Sequence, residues 1–268
     1  MFDISIITQL VLLGAFVGFI SGLFGIGGGG IIVPILTTIL LALSFDATHV
    51  VHTAIGTSMA IMAITLFSSA LAQHKKQAIL WNMFKILVPS IVVGTFLSTF
   101  LVTYLSSFTL AIIFATFMLL TSIHMFLGKQ PDSVNRFFSK KIQVFSGMVF
   151  GALSALISVA GGMFIIPYLM AQGVEIKKAV GTSSAIGLPL TLCGALGYMI
   201  NGWDIGSFEV NYTLGYIYLP AVFFVSITSV ISAPYGVKLA HKLPNTLLKK
   251  IFSIIPFFLS LKLIFELI

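Results

Sequence analysis

Gly25-Ile26-Gly27-Gly28-Gly29-Gly30, followed shortly by Pro34, interrupts an apolar stretch that otherwise runs from Ile4 to Leu43. Glycine costs about 0.5–1 kcal/mol relative to alanine inside a helix, so four in succession are expected to break it. In hydrocarbon a break exposes N–H and C=O groups that lipid cannot satisfy. It survives only where protein or a wet cavity surrounds it. The rest of the chain puts this break in a membrane. Of its 268 residues 58% are hydrophobic and 8% charged, against about 25% charged in an average soluble protein. So few charges cannot cover a water-facing surface. A soluble enzyme, a nucleic-acid binder and a disordered chain are excluded, and an all-α polytopic membrane protein remains.

The break recurs. Gly14–Pro34 aligns without a gap on Gly147–Pro167, 133 residues later, and eight of twenty-one columns are identical, among them Gly28/Gly161, Gly29/Gly162 and Pro34/Pro167. Ala54–Ile61 aligns on Ala179–Ile186, 125 residues later, with six identities in eight columns that include Gly56-Thr57-Ser58 and Gly181-Thr182-Ser183. Shared apolar composition would yield roughly one match in ten, so the chain is an internal duplication. Residues 1–127 form a first repeat, 128–141 a linking loop and 142–268 a second repeat.

Apolar segments are expected at Ile4–Phe24, Ile31–Leu43, Ala54–Ala72, Phe84–Tyr104, Phe108–Leu127, Ile142–Val159, Met163–Ala171, Ala179–Ile200, Thr213–Ala233 and Leu247–Ile268. Most have the ~20 residues that cross ~30 Å of hydrocarbon. Ile31–Leu43 and Met163–Ala171 are short, and each follows a glycine cluster, so full crossings or re-entrant hairpins give about eight to ten segments. Alternating sides along the chain sends Lys75, Lys76, Lys129, Arg136, Lys140, Lys141, Lys177, Lys178, Lys238, Lys242, Lys249 and Lys250 to one side. The other side receives Asp3, Asp46, Asp204, Glu209 and Glu266. Basic loops stay in the cytoplasm, so both termini are expected outside it, in a plasma or inner membrane. Five segments per repeat, an odd number, would make the second repeat enter from the opposite side, as inverted repeats do in many secondary transporters. The first nine residues carry no basic residue, unlike the n-region of a cleaved signal peptide. Cys193 is the one cysteine, so no intrachain disulfide is expected.

Three features could carry chemistry. The breaks at Gly27, Gly28 and Gly29 and at Gly161 and Gly162 would present free N–H groups at the start of a half-helix, a ready anion site. They could equally serve tight helix packing. Thr57 and Ser58, with Thr182 and Ser183, offer hydroxyls and backbone amides that grip an oxyanion without a buried cation, or else cap helices and link neighbours. His49 and His52, beside Asp46, suit proton coupling near neutral pH, or lie in a partly solvated loop. Two histidines and one carboxylate are a weak metal signal, so no metal is assigned. Their matching columns in the second repeat hold Val174 and Lys177. The small-residue series Gly14, Gly18, Gly22 and Gly147, Gly151, Ala155 reads as packing between the two halves. No hydrolase elbow, HExxH or phosphate-binding loop occurs, and no cofactor is implied.

Gly22-Leu23-Phe24-Gly25-Ile26-Gly27-Gly28-Gly29, then Val33-Pro34, then Gly56-Thr57-Ser58, resembles the TauE/SafE family of sulfite exporter-like membrane proteins. Gly161-Gly162 to Pro167 and Gly181-Thr182-Ser183 are similar to its second repeat, and the resemblance covers nearly the whole chain. It implies a permease in a bacterial-type inner membrane for small sulfur-containing anions such as sulfite, sulfoacetate and related organosulfonates. Ser158 and Ala160 stand where the first repeat has Gly25 and Gly27, a departure that bears on whether both halves hold a substrate equally. The expected function is a secondary transporter for a small anion, working by alternating access within the bilayer. A membrane scaffold or assembly factor without transport, or an intramembrane enzyme, are the alternatives.

Overall fold

The computed structural model describes residues 4–102, 104–110, 112, 113, 115, 116, 119, 138–203, 212–244 and 247. The elements are α1 (Ile4–Phe24), α2 (Gly29–Ala42), α3 (Val50–Lys75), α4 (Trp81–Val102), α5 (Lys140–Ile157), α6 (Gly162–Ala171), α7 (Ile176–Asn201), a hairpin of β1 (Thr213–Leu214) and β2 (Ile217–Tyr218), and α8 (Leu219–Lys242). Six of them are long and apolar enough to cross a membrane. The chain is thus an all-α polytopic membrane protein. α2 and α6, of 14 and 10 residues, rise only about 21 and 15 Å and fall short of the hydrocarbon thickness. The expected segments at Phe108–Leu127 and Leu247–Ile268 lie for the most part outside the described residues, as do the loop residues 128–137 and both termini.

Helix partners repeat from one half to the other. α1 packs along α8 and α5 along α4; α3 and α7 pack on each other; α3 meets α8 as α7 meets α4; and α2 lies on α3 as α6 lies on α7. The small residues make the outer contacts possible. A Cβ at Gly14 would fall on the Val225 carbonyl and one at Gly22 on the Ala233 carbonyl, both on α8. A Cβ at Gly151 would fall on the Ile91 carbonyl of α4. Backbones therefore touch where the spacing of four residues predicts close approach.

α3 and α7 form the centre. In their most apolar 18-residue stretches 83% and 72% is buried, against 33–44% in the other four long helices. Polar side chains turn inward: Thr57, Ser58, Thr65, Ser69, Thr182, Ser183, Ser184 and Thr191 have no solvent exposure. Large apolar side chains such as Leu12, Phe67, Leu101, Phe145, Leu196 and Ile231 face outward. Lipid tails accept that exterior at no cost, and the hydroxyls find partners only inside the bundle.

One boundary differs from expectation. The ninth segment begins not at Thr213 but at Leu219, after the hairpin, and continues past Ala233 to Lys242. Pro220 in the first turn of α8 starts a helix without needing an N–H partner. The residues before it pair as Thr213 with Tyr218 and Leu214 with Ile217, across a turn in which Gly215 has φ 57°.

Candidate functional site

The two glycine breaks meet. A Cβ at Gly27 would touch Ala160, one at Gly29 would fall on the Ser158 carbonyl, and one at Gly162 would press on Ile26 and the Gly25 carbonyl. The meeting point lies midway along the central helices. Met62 and Leu66 of α3 border Gly27, and Gly187 of α7 abuts Leu66 and the Ala160 carbonyl. The amino ends of α2 and α6 thereby converge in the middle of the bundle, each against the break of the other half. Two helix dipoles direct their positive ends there.

The breaks share two of their left-handed turns despite their different residues, and differ at a third, where Gly27 has φ 75° and Ala160 does not take a positive φ. Gly28 and Gly161 are the N-caps of α2 and α6, with φ 86° and 77°. Gly25, at φ 68°, corresponds to Ser158, at φ 47°. Serine thus takes a left-handed conformation that normally favours glycine and costs an L-residue roughly 1–2 kcal/mol. Its hydroxyl donates to the Ile55 carbonyl of α3 at 3.3 Å, which offsets part of that cost. The departure at Ser158 therefore keeps the left-handed turn that Gly25 makes in the first break.

The Gly-Thr-Ser stretches split into two roles. Thr57 Oγ1 accepts the Tyr218 N–H at 2.8 Å, and Thr182 Oγ1 accepts the Leu80 N–H at 2.9 Å. Each threonine thus clasps the residue that leads into the fourth helix of the opposite half, α8 or α4. The preceding glycines make room for the clasp, because a Cβ at Gly56 would fall on the Tyr216 carbonyl and one at Gly181 on the Ala78 carbonyl. The serines differ. Ser183 Oγ donates to the Gly25 carbonyl of the first break at 3.1 Å. Ser58 Oγ is fully buried with no partner, and so are Ser21 Oγ and Ser154 Oγ, one turn before each break. An unpaired buried hydroxyl costs about 1–3 kcal/mol, so these three have capacity to spare for a ligand.

His49 and His52 stand apart from the breaks, at the mouth of α3. His52 is buried, and its ring stacks on Tyr216 with centroids 5.2 Å apart. Nε2 faces the carbonyls of Val102, at 3.2 Å, and Leu105, at 3.0 Å, while Nδ1 lies 3.2 Å from Ser107 Oγ. Asp46 does not pair with it. The Thr48 backbone N–H and hydroxyl occupy the Asp46 carboxylate and hold its pKa below the usual range. The sequence carried no signal for Tyr216 or Ser107 as partners of His52, because both are distant in the chain.

Comparison with known proteins agrees with the geometry. The Sulfite exporter TauE/SafE family matches residues 10–263. A protein from Haemophilus influenzae described as a probable membrane transporter is 36% identical over 251 residues, covering 93% of this chain and 95% of its own. One so described from Methanocaldococcus jannaschii is 30% identical over 89% of this chain and 88% of its own. Another, from Bacillus subtilis, is 27% identical over 97% and 99%. No solved structure matches the chain. With two helix breaks facing each other in the bundle and a family match over nearly its whole length, the chain belongs to the sulfite exporter TauE/SafE family of membrane transporters.

Proposed function

We propose that the protein is a secondary carrier for a small oxyanion, sulfite or a related sulfur-containing anion, in the plasma or inner membrane. The observation that carries this reading is the convergence of the α2 and α6 amino ends at the paired breaks, beside buried hydroxyls without partners. Gly27, Gly28, Gly29 and Gly162 would supply backbone amides and Ser58 a free hydroxyl, while the Gly161 N–H, which bonds to the Val159 carbonyl, and the Ser183 hydroxyl, which bonds to the Gly25 carbonyl, hold the breaks in shape. Thr57 and Thr182 already accept one hydrogen bond each, and would add only their hydroxyl protons. Neutral donors suit a carrier, which must release its cargo as well as hold it. The full burial of these groups corresponds to a state closed to both sides.

The repeated pattern of helix partners supports alternating access, with each half adopting in turn the conformation of the other. In that arrangement the repeats are inverted, the termini lie outside the cytoplasm and the loop around Arg136 lies inside. Reporter fusions at Arg136 and at the C-terminus should fall on opposite sides, and finding them on one side would overturn the inversion. Transport itself is tested by flux of labelled sulfite, thiosulfate and an organosulfonate into proteoliposomes, with a neutral solute as control. Equal flux of the neutral solute, or none of any anion under imposed gradients of either sign, would overturn the carrier reading.

A further inference from the structure

His52 and Lys177 occupy matching positions, 125 residues apart, in the register that aligns the two Gly-Thr-Ser stretches. Each donates to carbonyls at the carboxyl end of the fourth helix of its own half, α4 or α8. Lys177 Nζ reaches the His241 carbonyl at 3.1 Å, one residue before α8 ends. His52 Nε2 reaches Val102, the last residue of α4, and Leu105 just beyond it. Such an end carries partial negative charge and favours a cation. One half meets that preference with a permanent charge and the other with a side chain that titrates.

The hydrogen bonds around His52 say which form fits. Both neighbours of Nε2 are carbonyls, so Nε2 carries a proton. The Ser107 hydroxyl donates its one proton to the Thr48 carbonyl at 2.6 Å. Its oxygen is then left to accept, and Nδ1 can bond to it only by donating. Every contact is satisfied at once when both ring nitrogens are protonated. In the neutral ring Nδ1 must accept instead, and Ser107 has to turn its proton away from Thr48. The face of Tyr216 stacked on the ring also favours the cation. The titratable groups around it are His49 on the approach to α3, with its ring 6.0 Å away, Asp46 behind His49, and Tyr216 from the hairpin, whose hydroxyl is 3.5 Å from His49 Nδ1. The α4 end and the turn after it offer His52 the two carbonyls and the Ser107 hydroxyl.

We propose that His52 is a proton-binding latch: protonated, it fastens the mouth of α3 to the end of α4 and the Ser107 turn, and on losing its Nδ1 proton it keeps the Nε2 bonds but makes Ser107 give up either His52 or Thr48, which loosens the turn. Lys177 is the permanently closed counterpart at the other end of the bundle. Where the latch controls access to the centre, the inference rests on the carrier reading, and on the proposed orientation it responds to pH outside the cytoplasm.

The test needs no solute. Hydrogen exchange of the Tyr104–Leu110 backbone is followed in detergent between about pH 5 and 8, with wild type compared with His52→Lys at each pH so that intrinsic exchange cancels. His52→Lys keeps its charge throughout. Wild type should match it at the acid end and exchange about tenfold faster or more at the alkaline end, the worth of one hydrogen bond to a charged group. Ser107→Ala, which removes the Nδ1 acceptor and keeps the packing, should flatten the wild-type trend. Lys177→His should make exchange at Leu239–Leu243 newly pH-dependent. A ratio of wild type to His52→Lys that stays constant with pH, or an unchanged trend in Ser107→Ala, overturns the latch. A latch that titrates in a protein that binds no oxyanion overturns only the carrier reading.

Discussion

The two halves of this protein repeat the same helix partners through different side chains. In the first, Gly25, Gly27 and Gly28 take left-handed turns at the break; in the second, Ser158 and Gly161 do and Ala160 does not. In the first, Ser58 is buried without a partner; in the second, Ser183 is tied to the carbonyl of Gly25. His52 holds the end of α4 where Lys177 holds the end of α8. The shared features are those on which the path of the chain depends. The differences fall on groups that can gain or lose a ligand or a proton. Duplicated halves are thus free to diverge in chemistry once both satisfy the same packing.

That comparison can be broken most forcefully at the point where the halves touch. Gly29→Ala and Gly162→Ala each drive a Cβ into unyielding backbone of the other half, the Ser158 carbonyl and Ile26 respectively. Each should destabilise the protein by about 3 kcal/mol, at the severe end of overpacking, seen as a lowered midpoint of thermal unfolding in detergent. If Gly29→Ala unfolds like wild type, the contact between the breaks is not structural.

The serines separate binding from folding. Ser58→Ala removes a buried hydroxyl that bonds to no protein group, so the unfolding midpoint should hold or rise while sulfite affinity falls roughly 10- to 150-fold. Ser183→Ala removes a hydroxyl whose one proton is committed to the Gly25 carbonyl, so stability should fall, and affinity should fall less than in Ser58→Ala. Equilibrium binding and thermal unfolding of the two variants side by side decide the matter. Unchanged affinity in both would leave the amides at the breaks as the remaining donors.

The threonine clasps should behave alike in the two halves. Thr57→Val leaves the Tyr218 N–H without an acceptor, and Thr182→Val does the same to Leu80. Each should cost about 1–3 kcal/mol of stability, and serine at either position should restore most of it. A clear loss in one variant with none in the other would show that the halves are joined asymmetrically. The smallest effect is expected at Ser158→Gly. Relief of the left-handed strain and loss of the bond to Ile55 oppose each other, for a net change under about 1 kcal/mol.

These variants also show why composition and motif spacing reach only part of the site. Gly28→Leu and Gly161→Leu look from the motif like clean probes of a cavity. Yet both positions have positive φ, and a Cβ there meets Val17 or Ile165, so each would report strain as well as ligand space. The Gly-Thr-Ser stretch reads as one oxyanion motif, whereas its glycine and threonine are committed to a clasp with a distant segment and the serine of the first copy is free. Val174 and Lys177, opposite His49 and His52, read as a loss of symmetry. Lys177 instead does with a fixed charge what His52 does with a titratable one.

Much was determined by the sequence alone: a membrane protein, a duplication, the helix breaks, the small-residue faces and the family. Each of these follows from local rules, namely the solvation cost of charge and unpaired backbone, the conformational range of glycine, and identity at fixed spacing. Only the tertiary structure decided that the breaks face each other, that Ser58 rather than Thr57 keeps a free hydroxyl, and that His52 closes on Val102, Leu105 and Ser107. Those outcomes depend on which groups 50 or more residues apart in the chain reach contact or hydrogen-bonding distance. A side chain carries the same donors and acceptors wherever it sits, and the fold settles which of them are already spoken for.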